Sequence, residues 1–438
     1  MRRLAGMLIF LVVFPFVLLG FAWAAYLAAG ALAGLAVEAG LPASYGAAAS
    51  NLLFLMVVFL MVSSSFLTIG ERKWSALMQN RVGPNRIRIL GNPLAGLPYL
   101  AADALKMLTK ENIEPALRSR LLYELAPVVS FAPAFVLFAV VPVGPEALVG
   151  GQRVSLQVAN PDAGLLYLFA IASLAVYGTS LAGWASNNKF ALLGGVRASS
   201  QMISYEVSLG LSLVGAMMAY GTLRLDVMSL RQGDLLWGWL PALGVLLQPV
   251  GLVLFFTSAF AETKRAPFDL PEGESEIVGY FVEYPGMKFG MMMLAEFIEI
   301  VVLSGVTAAV FFGGWHPVLF EGWLRTNLQP VAFAAVCAAC FLGKTLFLAW
   351  VQLAIRWTLP RFRFDQIQKL CWKMMFPAAL LNVFVTGALV IADPSLEALA
   401  AVGLLELAAL AGLTAAAARA APAAAAQQPA HAATAPGH

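Results

Sequence analysis

Four carboxylates stand where water is scarce. Glu206 sits in Ser204-Tyr205-Glu206-Val207-Ser208 near the start of one apolar run, Glu262 ends another, and Glu296 and Glu299 lie within a third. Placing a carboxylate in hydrocarbon costs at least ~2.5 kcal/mol on insertion scales, so such groups face a bundle interior or water and have a functional reason to be there. Clustered acids in that setting are suited to exchanging protons, and together they suggest a proton path. For any single one, helix-to-helix hydrogen bonding is the alternative reading. Lys344 also falls within an apolar run, and Glu406, in the last one, has no evident companion.

Beside them lies an acidic connection, Ala261-Glu262-Thr263-Lys264-Arg265-Ala266-Pro267-Phe268-Asp269-Leu270-Pro271-Glu272-Gly273-Glu274-Ser275-Glu276, followed by Glu283 and Tyr284. Pro267 and Pro271 prevent a regular helix. Irregular backbone at membrane depth is tolerated only where it lines a protein cavity or water, so an acidic, wet vestibule is expected at the rim of the bilayer. A solvated acidic loop is the plainer alternative.

Long apolar elements must position these groups. Of the 438 residues, 61% are hydrophobic and 12% charged, against about 45–50% and about 25% for a soluble domain. The expected fold class is therefore all-α, a polytopic membrane helix bundle. A crossing takes about 20 apolar residues, and ten runs qualify, near 7–30, 51–69, 126–143, 163–184, 202–220, 240–260, 289–312, 330–350, 373–392 and 398–418. With the N-terminus in the cytoplasm, twenty-two of the 27 basic residues fall on the cytoplasmic side, and four (Arg153, Arg224, Arg231, Arg325) on the other. That asymmetry follows the positive-inside rule and puts both termini in the cytoplasm. The first run, preceded by Arg2 and Arg3, reads as a retained anchor because it exceeds the length of a signal-peptide core. From about Ala415 the chain is Ala/Pro/Gln-rich and is expected to be disordered.

A net charge of +3 gives no indication of nucleic acid. The three histidines (His316, His431, His438) and three cysteines (Cys337, Cys340, Cys371) are too few, and wrongly placed, for a transmembrane haem or an iron–sulfur cluster. Cys337 and Cys340 lie in an apolar run, where small residues pack helices. No haem, cluster or metal site is expected, so electrons must come by a diffusible carrier or another subunit.

The connection from 70 to 125 is long enough to suggest function. It opens with Glu71, Arg72, Lys73 and Trp74 and reaches a turn at Gly83-Pro84-Asn85. From Pro93 onward, Leu94, Leu97, Ala101, Ala104 and Leu108 repeat at helical spacing, with Asp103, Lys106 and Lys110 opposite. This pattern predicts an amphipathic helix along the cytoplasmic membrane surface.

At this point the residues resemble a known family. Glu71-Arg72-Lys73, Gly83-Pro84-Asn85, Ala102-Asp103-Ala104-Leu105-Lys106, Leu108-Thr109-Lys110-Glu111 and Gly183-Trp184-Ala185-Ser186-Asn187-Asn188-Lys189-Phe190-Ala191-Leu192 are similar to the H subunit of NADH:quinone oxidoreductase (respiratory complex I), the counterpart of mitochondrial NADH dehydrogenase chain 1. So are Ser204-Tyr205-Glu206-Val207, Ala261-Glu262-Thr263, Arg265-Ala266-Pro267-Phe268-Asp269-Leu270 and Leu359-Pro360-Arg361-Phe362-Arg363-Phe364-Asp365-Gln366. The resemblance covers about 51–392. It implies an eight-span core there, with an extra helix and connection over 1–50, an extra helix over 393–419, and a tail over 420–438.

What the resemblance implies is a membrane subunit with quinone as substrate, placed in the bacterial inner membrane. Its partners would be cluster-bearing hydrophilic-arm subunits at the cytoplasmic face, small and antiporter-like membrane subunits, and the lipid bilayer. Glu71, Arg72, Lys73, Trp74, Asp103, Arg197, Phe268 and Asp269 would lie at the quinone tunnel and its rim. Glu206, Glu262, Glu272, Glu274, Glu276 and Glu296 would form the proton route. Lys264 departs from the asparagine usual in the family, and Glu299 adds a carboxylate. A homologous subunit of a membrane-bound hydrogenase or formate hydrogenlyase would share the fold without the quinone. A stand-alone cation/proton transporter would need the same acids, although the hydropathy displays no inverted repeat.

Overall fold

The apolar runs close their backbone hydrogen bonds internally, as lipid requires, and the result is helical almost throughout. The structure is a computed structural model that describes residues 2–87, 96–273, 276–317 and 321–426, with side chains described from 13 to 417 within those segments. In chain order, α1 is Arg2–Glu38, α2 Ala43–Met78, α3 Pro98–Thr109 and α4 Arg120–Leu137. Then come α5 Gly164–Ala185, α6 Lys189–Tyr220, α7 Pro249–Glu262, α8 Gly286–Phe311, α9 Pro330–Arg356, α10 Phe364–Ala392 and α11 Glu397–Ala426. Among the described residues nine helices are long and apolar enough to cross a membrane. The chain is a multi-pass, all-α membrane bundle, as expected from its composition.

The sixth expected span, 240–260, is not one continuous helix. Leu240–Pro241 pairs with Leu235–Leu236 in a two-residue ladder, Gly244–Leu247 makes one helical turn, and only Pro249–Glu262 continues as helix α7. At 14 residues, or about 21 Å at 1.5 Å per residue, α7 is shorter than the hydrocarbon core. The interruption falls at Gln248, with φ −140° and ψ 59°, ahead of a proline that cannot continue the hydrogen-bond ladder. A buried polar set satisfies the break: Gln248 Nε2 donates to Thr386 Oγ1 at 2.8 Å and Asn382 Nδ2 donates to Gln248 Oε1 at 2.8 Å.

Two other differences bear on the site. Helix α2 is 36 residues long, about 54 Å, so it continues past the expected span. Glu71, Arg72, Lys73 and Trp74 thus ride on rigid helix, whereas the sequence pattern puts them in a connection. Helix α11 runs on to Ala426, beyond the expected end near 418. The surface helix forms as α3; Pro93 and Leu94, where it was expected to begin, lie outside the described residues. Between α4 and α5 an antiparallel hairpin, β1 Gly144–Val149 and β2 Gln152–Leu156, is anchored to the bundle. Tyr26 of α1 donates to Pro145 O at 2.6 Å, and Asn51 Nδ2 to Ser155 O at 2.7 Å.

The centre of the bundle is α8. From Ala295 to Phe311 every residue is buried, and its Ala295, Ser304, Gly305, Thr307, Ala308 and Ala309 let neighbouring helices approach closely. Glu296 and Glu299 are carried on this central helix, enclosed by α2, α4, α7 and α9.

Candidate functional site

An open pocket of about 610 Å³ lies where α2 ends, a volume within the usual range for small-molecule sites. Glu71 and Arg72 of α2 form one wall, the Arg81–Arg86 turn a second, and Tyr99 of α3 with Trp357 a third. The turn is held against the helix by Lys73, whose Nζ donates to Pro84 O at 2.8 Å. The turn passes close to that helix: a Cβ at Gly83 would lie 2.9 Å from Lys73 Cδ and displace the Lys73 side chain. Arg72 reaches Asp103 of α3 at 2.9 Å, joining the surface helix to the end of the span.

Behind the pocket lies a buried ionic core. Glu71 pairs with Arg356 at the end of α9 and lies 3.7 Å from Arg265 Nη1. The Arg265 guanidinium is 3.1 Å from Glu296 and covers the Phe297 ring at 4.4 Å. Arg265 and Glu296 are both almost wholly enclosed, with side chains 4% and 3% exposed. Glu296 also accepts from the Tyr280 hydroxyl at 3.2 Å and shares a hydrogen bond with Glu272. Burial, and then the neighbouring Glu296 carboxylate, push the Glu272 acid well above the usual carboxylate range. Lys264 stays charged: burial works against it, but Glu299, Glu296, Glu272 and Glu262 outweigh that and raise it above the ordinary lysine value.

Deeper in the bundle, Glu206, Glu262 and Glu299 converge on a small cavity of about 20 Å³, otherwise walled by apolar residues such as Leu137 and Leu168. Glu262 Oε2 and Glu299 Oε2 are buried there without hydrogen-bond partners among the described residues. A cavity of this size has room for one water, and the three carboxylates are the polar groups on its wall. Contacts link Glu71, Arg265 and Glu296, and about one helical turn further along α8 Glu299 joins Glu262 and Glu206 at the cavity.

The comparisons with known proteins agree with this architecture. A family model described as NADH dehydrogenase matches residues 50–387. The chain belongs to the NADH dehydrogenase family. It is similar to H subunit 1 of the NADH-quinone oxidoreductase of Geobacter metallireducens, 43% identical over 338 residues, which cover 77% of this chain and 93% of the relative. It is also similar to H subunit 1 of Cytophaga hutchinsonii, 40% identical over 332 residues (76% and 93%), and to the H subunit of Leptospira biflexa, 43% identical over 333 residues (73% and 88%). As an NADH dehydrogenase of this kind it is a membrane subunit of an enzyme complex, with other complex I subunits as partners.

Not every family-inferred site residue meets at the pocket. Glu71 and Arg72 line it, and Asp103 is joined to it through Arg72. Trp74 turns instead onto Trp350, edge to face at 5.0 Å. Phe268 is buried between Tyr205 and Phe362, each 5.5 Å away between ring centres. Asp269 takes both oxygens to Arg361 at 2.7 Å, which pins the acidic segment to the chain after α9. Arg197 meets Glu276 at 2.8 Å on an exposed rim. Glu274 lies outside the described residues. Sequence reasoning assigned no role to Arg356 or Tyr280, and only their chemical types, a cation and a phenol near the ends of spans, marked them.

Proposed function

We propose that this chain forms much of the wall of a quinone tunnel in a proton-translocating NADH:quinone oxidoreductase and couples quinone reduction to proton movement through its buried carboxylates. The observation that carries the reading is the run of ionisable groups from Glu71, at the pocket, through Arg265 and Glu296 to the cavity at Glu206. Arg265 is shared by two acids. A negative charge arriving beside Glu71 and Arg72 competes for the same cations that hold Glu296.

Reducing a quinone adds two electrons and draws two protons. The charge appears next to low-dielectric protein, where a unit charge at 4 Å is worth about 4 kcal/mol at an effective dielectric constant of 20. That suffices to redistribute protons among Glu296, Glu272, Glu299 and Glu262, and the one-water cavity passes the change to Glu206. In this reading Arg72, Asp103 and the α3 surface helix shape the mouth. Lys73 and Trp74 support it by bracing the Gly83 turn and α9. The electrons come from cluster-bearing hydrophilic-arm subunits docked on the cytoplasmic rim near Arg197, while Phe268 and Asp269 belong to the tunnel and its rim, and Glu274 and Glu276 join Glu272 at the acidic start of the proton route. Antiporter-like and small membrane subunits receive the change laterally. The chain sits in the bacterial inner membrane with both termini in the cytoplasm, the orientation that the basic residues favour when the interrupted run at 240–260 is counted as a tenth crossing.

The test is Glu206→Gln in the assembled complex, with quinone reductase turnover and proton uptake measured together in sealed vesicles. Loss of proton uptake per turnover is expected; unchanged coupling would remove Glu206 from the route.

A further inference from the structure

Lys264 occupies a position unfavourable to a lysine in two ways. Its backbone is left-handed, with φ +53°, a conformation that a non-glycine residue other than Asn or Asp adopts rarely. Its side chain is only 1% exposed, and burying an ammonium is costly unless opposite charges compensate. Yet among the described residues the short ion pairs of the cluster go to Arg265 and Arg356, with none to Lys264. Its ammonium instead faces several acids at once, Glu299 and Glu296 from α8, Glu272 from the acidic segment and Glu262 from α7, and lies 5.9 Å from the Tyr280 ring. Arg265 is its neighbour in sequence.

Counting the groups clarifies what an unpaired cation does there. The acids Glu262, Glu272, Glu296 and Glu299 share the core with Lys264 and Arg265, so they outnumber the enclosed cations and cannot all ionise at once. Arg265 is committed to Glu296 and Glu71. Lys264 is committed to no single partner, so its field acts on all four acids.

We infer that Lys264 is a positioning residue for proton transfer, a fixed, unpaired cation that sets how many of the surrounding carboxylates hold protons and therefore the pH range over which the cluster exchanges them. This rests on the proton-route reading above. Removing the charge makes every facing acid harder to ionise, by about one unit or more for an opposite charge nearby. Any limb of the pH profile governed by the cluster then moves in the alkaline direction, whichever protonation state is active.

The experiment compares pH profiles of quinone reductase activity and proton uptake in the intact complex for wild type, Lys264→Asn and Lys264→Arg. Asparagine suits the left-handed backbone. The expected result is an alkaline shift of about one pH unit for Lys264→Asn, with the wild-type profile kept in Lys264→Arg. Should Lys264→Asn not assemble, Lys264→Met keeps the stem and removes the charge. An unshifted profile in a neutral variant, or failure of both neutral variants to assemble while Lys264→Arg does, would overturn the inference. Glu206→Gln, measured alongside, separates the two readings. If it leaves coupling intact, the proton route itself fails; if it uncouples while Lys264→Asn leaves the profile unmoved, only the role of Lys264 fails.

Discussion

Arg265 and Glu296 form an ion pair at 3.1 Å that is almost completely enclosed by protein. Arg265 comes from the irregular segment after α7 and Glu296 from the central helix, so one contact ties the acidic loop to the core. Because Arg265 also lies 3.7 Å from Glu71, the same guanidinium reaches the wall of the open pocket. Breaking such a pair from one side leaves a buried charge uncompensated, at a cost of about 3–5 kcal/mol. Arg265→Ala is accordingly expected to lower the amount of assembled complex severalfold, read by native gel and by NADH oxidation with an artificial acceptor. Arg265→Lys keeps the charge and is expected to restore assembly.

Arg72 is more exposed, and its ion pair with Asp103 contributes little stability. Its position at the pocket makes a different prediction. Arg72→Ala is expected to reduce quinone reduction at least about tenfold, equivalent to about 1.4 kcal/mol, while NADH oxidation by an artificial acceptor continues at the wild-type rate. Full quinone reductase activity in that variant would separate the pocket from the substrate.

Glu272 gives the pH dependence of stability. Burial and the adjacent Glu296 hold its acid well above the ordinary range, so the folded chain keeps a proton that the unfolded chain releases. Between the ordinary carboxylate value and the raised one the folded state binds more protons, and stability therefore falls as pH rises through that window. Glu272→Gln removes the titration. Thermal inactivation of the purified complex is expected to depend less steeply on pH above about 4.5 in this variant.

The last helix docks on the break in the sixth apolar run. A Cβ at Gly403 would lie 1.8 Å from the Leu246 carbonyl oxygen, and Glu406, three residues on, faces the Val250 N–H at the start of α7. Even Gly403→Ala must push α11 away, costing about 1–3 kcal/mol as an overpacked contact. The check is protease sensitivity of the connection at 393–396, which is expected to increase in the variant complex.

Much of the bundle was legible in the sequence because each crossing carries its own signal, a run of about 20 apolar residues flanked by charge. The interruption of the run at 240–260 was not legible, for a physical reason. Averaged hydropathy cannot register one residue, Gln248, whose backbone leaves the helix ahead of Pro249. Glu71-Arg72-Lys73-Trp74 looked like the start of a loop because polarity marks the membrane surface, but helical hydrogen bonding continues to Met78. The acids of the site were visible as charges out of place. Their partners were not: Arg356 and Glu71 are 285 residues apart, and no local spacing encodes a contact made by packing α9 against α2. Phe268 and Asp269 were visible through motif likeness, but their neighbours Tyr205, Phe362 and Arg361 come from distant parts of the chain and were not.

The protonation of the buried acids during quinone reduction is most directly read by infrared difference spectroscopy of the whole complex, in the carboxylic acid stretching region, on reducing the quinone. Wild type is expected to gain or lose a carboxylic acid band that shifts in heavy water, and Glu262→Gln, with its side chain at the inner cavity, is expected to lose part of it. A difference spectrum identical in wild type and Glu262→Gln, in complexes that reduce quinone equally well, would contradict the coupling of quinone chemistry to these carboxylates.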